Sequence, residues 1–257
     1  MSRPRALAAA TLAVLALGAC GATDGGAEQA TTPSGELTVY AAASLRTVYE
    51  ELGELFTAEH PGAEVTFSFA GSADLVAQLD AGAPADVLAT ADEATMARAV
   101  EDGTVAGQPQ VVAENALTLV VPAGNPGGVT GLDAAGLAGA DLVVCAPQVP
   151  CGAAAQALAA DLGLTLTPVS EENSVTDVLG KVTSGQAEAG LVYSTDAVVA
   201  GDAVEVVPVE GAEEVVNRYP VAVTTGTDQE ALAQAWIDLV SGPVGQEVLA
   251  AAGFGTP

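Results

Sequence analysis

Hydrophobic positions along this chain switch repeatedly between a period of two and a period of three to four. Residues 36–41 form a short Val/Tyr run that predicts a strand. Residues 44–59 then carry apolar side chains at helical spacing (Leu45, Val48, Leu52, Leu55, Phe56) until His60-Pro61-Gly62 stops the helix. Strands are predicted at 64–69 and 86–90, and helices at 72–80 and 92–102. This βαβαβα order implies a parallel sheet covered by helices. A second unit starts near Asn115. Its predicted strands are 116–121, 141–146, 189–193 and 203–209, and its helices 152–162 and 175–184. A strand at 219–224 heads back, followed by helices at 229–240 and 244–251. The order fits a middle lobe (115–218) inserted into an outer lobe (36–114 and 219–257), with a ligand cleft between them and hinge strands near 113–116 and 218–219.

The first 35 residues stand outside this pattern. Arg3 and Arg5 precede an apolar run at 6–17 that is too short to span a bilayer comfortably. The run ends in Leu17-Gly18-Ala19-Cys20, which resembles the lipobox of bacterial lipoproteins. That resemblance implies removal of residues 1–19, lipidation of Cys20 and a place on the extracytoplasmic face of the cell membrane; an ordinary signal peptide is the alternative. Residues 20–35, rich in Gly, Ala and Thr, read as a flexible tether. Export leaves Cys145 and Cys151, and an oxidising compartment favours pairing them, closing a short loop. A redox pair is the other reading, but the spacing is not C-x-x-C.

Charge narrows the function classes. The chain carries 6 basic and 33 acidic residues; without Arg3 and Arg5, four basic against 33 acidic residues give a net of −29. There is almost no basic surface for phosphates, so nucleic-acid binding is excluded. An acidic protein can still hold an anion through local donors, and the predicted elements supply a way. The sequences at 41–44, 70–72, 149–152 and 173–175 each carry a strand end into a helix start with a small or hydroxyl residue at the junction. First-turn N–H groups there lack helical partners and carry the positive end of the helix dipole. In open α/β sheets such ends gather at the carboxyl edge of the strands. Taken singly, Ser44 and Ser72 read as ordinary N-caps, Ser174 with Asp177 as a capping box, and Tyr193 as a half-buried strand-end tyrosine.

Several runs together are more specific: AAASL (41–45), FAGS (69–72), GAPADVLATAD (82–92), NALTLVVP (115–122), VPCG (149–152), AEAGLVYSTDA (187–197), YPVAV (219–223) and the terminal GF (253–254). Over about residues 36–254 they resemble the periplasmic molybdate-binding proteins of bacterial ABC importers. The resemblance implies a two-lobed periplasmic binding protein fold (type II), each lobe a mainly parallel sheet flanked by helices. It also implies a monomer that hands molybdate or tungstate to a membrane permease and carries no cofactor. Mapped residue by residue, it implies oxyanion contacts from the hydroxyl and N–H of Ser44 and Ser72, the N–H groups of Cys151 and Val175, and the phenol of Tyr193. These contact oxyanion oxygens, and none is a direct metal ligand. The Cys151 position is often Ala in that family, and a bond to Cys145 would fix its loop. Sulfate or phosphate remains the alternative ligand, with Asp74 and Asp177 as possible acceptors. An enzyme is a weaker reading, because His60 is the only histidine and Lys181 the only lysine, so neither a Ser-His-Asp triad nor a His-rich metal site is available. A structural surface lipoprotein is the third class.

Overall fold

The computed structural model describes residues 33–257. The expected signal segment 1–19, the expected lipid-bearing Cys20 and the tether to residue 32 lie outside the described residues. The first strand starts at Gly35, one residue before the expected start at 36.

The elements are β1 (Gly35–Ala42), α1 (Arg46–Glu59), β2 (Ala63–Ala70), α2 (Ser72–Asp80), β3 (Val87–Ala89), α3 (Glu93–Glu101), β4 (Val105–Pro122), β5 (Leu142–Cys145), α4 (Pro150–Asp161), β6 (Ser170–Glu172), α5 (Val175–Thr183), β7 (Ala189–Tyr193), α6 (Ser194–Ala200), β8 (Val204–Val207), β9 (Val216–Thr224), α7 (Glu230–Ser241) and α8 (Pro243–Ala251). Local chemistry explains their limits. Helix α1 buries Val48, Tyr49, Leu52 and Phe56 along one stripe and stops at His60, since Pro61 cannot continue it. Helix α3 starts at Asp92, whose carboxylate accepts the Thr95 N–H at 2.8 Å.

Three elements differ from the sequence expectation. Strand β4 begins at Val105, eleven residues before the predicted strand. Gly107 and Pro109 make this stretch look like a loop. They sit where the ladder with β9 shifts register between Ala106 and Gln110, and Gly107 takes a φ of 71° there. Strand β6 is three polar residues, too short to show a period. Helix α6 falls between the predicted strands 189–193 and 203–209, where the sequence pattern predicts no element.

The strand order is β2-β1-β3-β9-β4-β7-β5-β6, with β8 also paired to β4. The sheet is mixed rather than mainly parallel. Parallel triads β2-β1-β3 and β6-β5-β7 flank a centre in which β9 is antiparallel to β3, and β4 is antiparallel to β9, β7 and β8. The reason is connectivity. Strand β4 pairs with β9 through residues 105–116 and then with β7 through residues 117–120. It therefore leaves one half of the sheet and enters the other. The first triad runs with β4 and the second against it, so their carboxyl ends point at each other.

Packing follows the alternation of each strand. In β1, Leu37, Val39 and Ala41 join the core under α1 and α7, while Tyr40 joins the smaller core made with Leu75, Leu79 and Met96. Trp236 on α7 is fully buried, with Tyr49, Phe56 and Phe67 rings 5.4–5.6 Å from its own.

One buried acid yields a prediction. The Asp196 carboxylate in the first turn of α6 accepts the Tyr193 N–H at 3.0 Å. Burial pushes its pKa up from 3.8 to about 7, against the lowering effect of that hydrogen bond. The folded state thus holds this proton more tightly than the unfolded state. The associated stability is complete below about pH 4 and is lost as pH rises through 7. Asp196→Asn keeps an acceptor for Tyr193 and removes the charge. In urea unfolding we expect the variant to be more stable than wild type at pH 8, by on the order of a few kcal/mol, the gap to narrow at pH 5 and to close only below about pH 4. A gap independent of pH would refute the reading.

Candidate functional site

The facing carboxyl ends bring six strand-to-helix junctions to one place. After β1 the chain makes a 3-10 turn, Ala43–Leu45, before α1, so Ser44 stands in the turn and caps nothing. Its Oγ lies 3.1 Å from the Tyr219 Oη. Ser72 is the first residue of α2, and its hydroxyl makes no cap bond either. Instead, the Ala91 N–H donates to Ser72 Oγ at 3.0 Å. The N-cap reading of both serines therefore fails in the structure; the Ser72 proton remains available, while either oxygen of the Ser44–Tyr219 pair could be the donor. Ser174 does cap α5: its Oγ accepts from the Asp177 N–H and donates to the Asp177 carboxylate at 2.6 Å.

Helix α4 opens with Pro150, which has no N–H, so Cys151 carries the first donor of that turn. Val175 has the same standing in α5, as the first residue after its cap. Tyr193 ends β7. Its side chain is buried, and its Oη has no hydrogen-bond partner. Tyr49 Oη in the core is also without a partner, so what distinguishes Tyr193 is that it lines the cavity.

Ser44, Ser72, Cys151, Val175 and Tyr193 all line one cavity of about 20 Å³. That is room for one compact polyatomic ion or a water or two, and for nothing the size of a sugar or a peptide. No Asp, Glu, Lys, Arg or His lines it. Asp74 is exposed, and the Asp177 carboxylate is taken up by Ser174, so neither offers an acceptor. Burial pushes the Tyr193 and Tyr219 phenols well above their usual pKa, so both remain protonated at neutral pH.

Two glycines set the approach of the walls. A Cβ on Gly71 would lie 2.1 Å from the Asn173 carbonyl oxygen, across the cavity. Its φ of −58° suits any residue, so proximity alone demands glycine there. A Cβ on Gly152 would lie 1.8 Å from the Ala146 oxygen, which lets the first turn of α4 sit directly on the loop after β5. A disulfide joins Cys145 to Cys151 across the same loop.

Residues the sequence reading passed over are Ala91, through its N–H on Ser72, and Tyr219, through its contact with Ser44. Tyr219 lay within the YPVAV run, which marked the segment but not the side chain's task. His60 lies outside this cavity, at the end of α1 with its ring 4.4 Å from that of Phe56. Lys181 also lies elsewhere. It pairs with Glu172, whose pKa it lowers. Among the described residues no cluster of His, Cys, Asp or Glu could hold a metal ion, and no helix is long and apolar enough to cross a membrane.

Known proteins resemble this chain in sequence and fold. The family model of bacterial extracellular solute-binding proteins matches residues 37–255. The molybdate-binding protein ModA of Mycobacterium tuberculosis is 42% identical, over 95% of this chain and 94% of its own. ModA of Escherichia coli is 34% identical, over 89% of this chain and 92% of its own. Among solved structures, the periplasmic molybdate-binding protein of Azotobacter vinelandii aligns with a TM-score of 0.72 at 25% identity, covering 86% of this chain and 99% of that one. These relatives are binding proteins, not enzymes. The chain belongs to the family of bacterial extracellular solute-binding proteins that includes the molybdate-binding proteins.

Proposed function

We propose that this protein captures molybdate or tungstate outside the cytoplasm and delivers it to an ABC importer. The observation that carries this reading is the small cavity lined by donors without a single ionisable carboxylate or cation. A tetrahedral dianion presents four acceptor oxygens and no proton. Hydroxyls of Ser44 and Ser72, N–H groups of Cys151 and Val175, and the Tyr193 phenol would each give it a charge-assisted bond, worth roughly 1.5–3 kcal/mol. Together they offset much of the ion's dehydration, and the dipoles of α2, α4 and α5 add to them.

In this reading residues 36–114 with 219–257, and residues 115–218, act as two lobes that close over the ion. The hinge lies where β4 and β9 pass from one to the other, near 113–116 and 218–219. The chain acts as a monomer, tethered to the membrane by a lipid on Cys20, and presents its closed form to the permease. The ion is cargo, and no cofactor takes part.

Calorimetric titration of the purified protein with molybdate, tungstate, sulfate and phosphate tests the ligand. Tight binding of the first two with much weaker binding of the others is expected; binding of sulfate or phosphate alone would overturn the ligand while leaving the carrier role. Ser72→Ala should weaken molybdate binding about 10- to 100-fold. It should leave a folded protein, destabilised by about 1–2 kcal/mol because the Ala91 N–H loses its acceptor. Unchanged affinity would remove Ser72 from the site.

Closure gives a separate prediction. Gly71→Ala should fold normally, because its backbone angles suit alanine and an open cleft has space for the methyl. It should bind molybdate at least about tenfold more weakly, and small-angle scattering should show no compaction on adding ligand. A variant that still compacts and binds like wild type would show that Gly71 and Asn173 do not meet in the closed form.

A further inference from the structure

We propose that Asn217 is a positioning residue for Ser72: reaching from the strand that passes between the lobes, it holds Ala91 in place, and Ala91 in turn sets the Ser72 hydroxyl toward the ligand. The inference rests on the oxyanion reading above and adds to it a residue that does not line the cavity.

A serine hydroxyl rotates to suit its partners, so it aims its proton at one place only if its oxygen is held. Ser72 Oγ is held by the Ala91 N–H at 3.0 Å. The aim of the hydroxyl therefore depends on where residue 91 stands. Ala91 lies in the link between β3, which ends at Ala89, and α3, which starts at Glu93. These three residues belong to no ladder and no helix. Strand β9 fixes them instead, at two points. The Thr90 N–H donates to the Pro220 carbonyl at 3.0 Å. The Asn217 Nδ2 donates to the Ala91 carbonyl at 2.9 Å. That partner only accepts, so the NH2 end of the amide is the end that faces it. Within the link, Thr90 Oγ1 donates to the Asp92 carbonyl at 2.7 Å. Residue 91 is thus gripped from both sides, by its N–H on Ser72 and by its carbonyl under Asn217.

The two anchors on β9 stand on either side of the expected hinge at 218–219. Pro220 belongs to the outer lobe of the proposed division and Asn217 to the inserted one. A bend of β9 between them moves one anchor relative to the other, so closing the lobes and setting Ser72 become one event. The residue opposite Asn217 in β4 is Asn115, and opposed side chains share a face of the sheet. Asn115 is tied the other way, its Nδ2 donating to Thr195 Oγ1 in α6 at 2.8 Å. One amide of the pair holds the inserted lobe, and the other reaches over to the wall of the outer one. Both side chains are buried, where an amide without its partner is costly.

The test is a double-mutant cycle of Asn217→Ala and Ser72→Ala in the full chain, with molybdate affinity read by calorimetry and folding by urea unfolding. Asn217→Ala should weaken molybdate binding about five- to thirtyfold when Ser72 is present. It should weaken binding by less than about twofold when residue 72 is already alanine, because the hydroxyl it positions is gone. A merely structural role would lower stability and change affinity by the same factor in both backgrounds. Equal factors therefore overturn the proposal, as does an Asn217→Ala protein that binds like wild type. Should Asn217→Ala not fold, Asn217→Ser takes its place in the cycle, since its hydroxyl is polar yet falls an atom short of the Ala91 carbonyl. Should molybdate be silent, the cycle is run with whichever of tungstate, sulfate and phosphate the wild type binds, and the same two factors decide. A wild type silent toward all four sinks the oxyanion reading and this inference with it. Equal factors in a protein that binds sink this inference alone.

Discussion

The arrangement of this molecule depends on the antiparallel pairing of β4 with β9. Eighteen residues of β4 run unbroken from one half of the sheet into the other, and β9 returns beside them. A single continuous strand crossing the boundary forces the two parallel triads to run head to head. Every strand-to-helix junction of both triads then opens onto the same gap. Had β4 turned back at residue 116, the second triad would have extended the first, and its helix N-termini would have lined a single edge instead of facing their counterparts. The crossing also carries the polar groups that organise the cavity. Glu114 and Arg218 pair across it at 3.1 Å, Asn115 faces Asn217 in the register, and Tyr219 stands opposite Ala113. The place where the lobes would bend is the place where the hydrogen bonds behind the site originate.

Electrostatics at long and short range oppose each other here. A chain of formal charge −27 repels a dianion at distances where charges are felt as a sum, and salt screens that repulsion beyond roughly 8–10 Å. Inside the cavity the balance is set by dipoles a few ångströms away. Arg46, which follows the Ser44 turn, is exposed and already engaged, paired with Glu50 and lying over the Phe69 ring at 4.5 Å. It contributes little that solvent does not screen. In the proposed reading the ligand meets aligned N–H and O–H groups, which have direction. A point charge would attract every anion. Oriented donors attract only anions whose oxygens all accept.

The alternation of strands and helices was legible because each segment obeys one period over many residues, and the five junction residues were legible because family motifs fall on them. What was not legible has physical reasons. The first half of β4 carries Gly107 and Pro109, which signal a loop until a bulge is known to accommodate them. Strand β6 is too short for a period. Ser44 and Ser72 look like caps in one dimension, since only the fold shows that a 3-10 turn precedes α1 and that Ala91 occupies the Ser72 lone pair. Tyr219 is far from Ser44 in sequence, and nothing local marks a side chain whose oxygen lies beside that serine. The exchange of parallel for mixed pairing was hidden for the same reason: strand direction depends on where β4 goes, not on its own pattern.

The Cys151 corner shows how such a site avoids ordering itself at the moment of binding. Its N–H is held from three sides. Pro150 restricts the backbone just before it, the disulfide ties its side chain back to the end of β5, and Gly152 allows the helix turn to rest against the Ala146 carbonyl. A donor on a mobile loop would have to be immobilised by each arriving ion, and that entropy would be subtracted from every binding event. Here it is spent once, when the chain folds. In the proposed reading only the N–H of residue 151 serves the ion, so its side chain is free to serve as the clamp. A cysteine at this position therefore adds rigidity without changing what the ion meets.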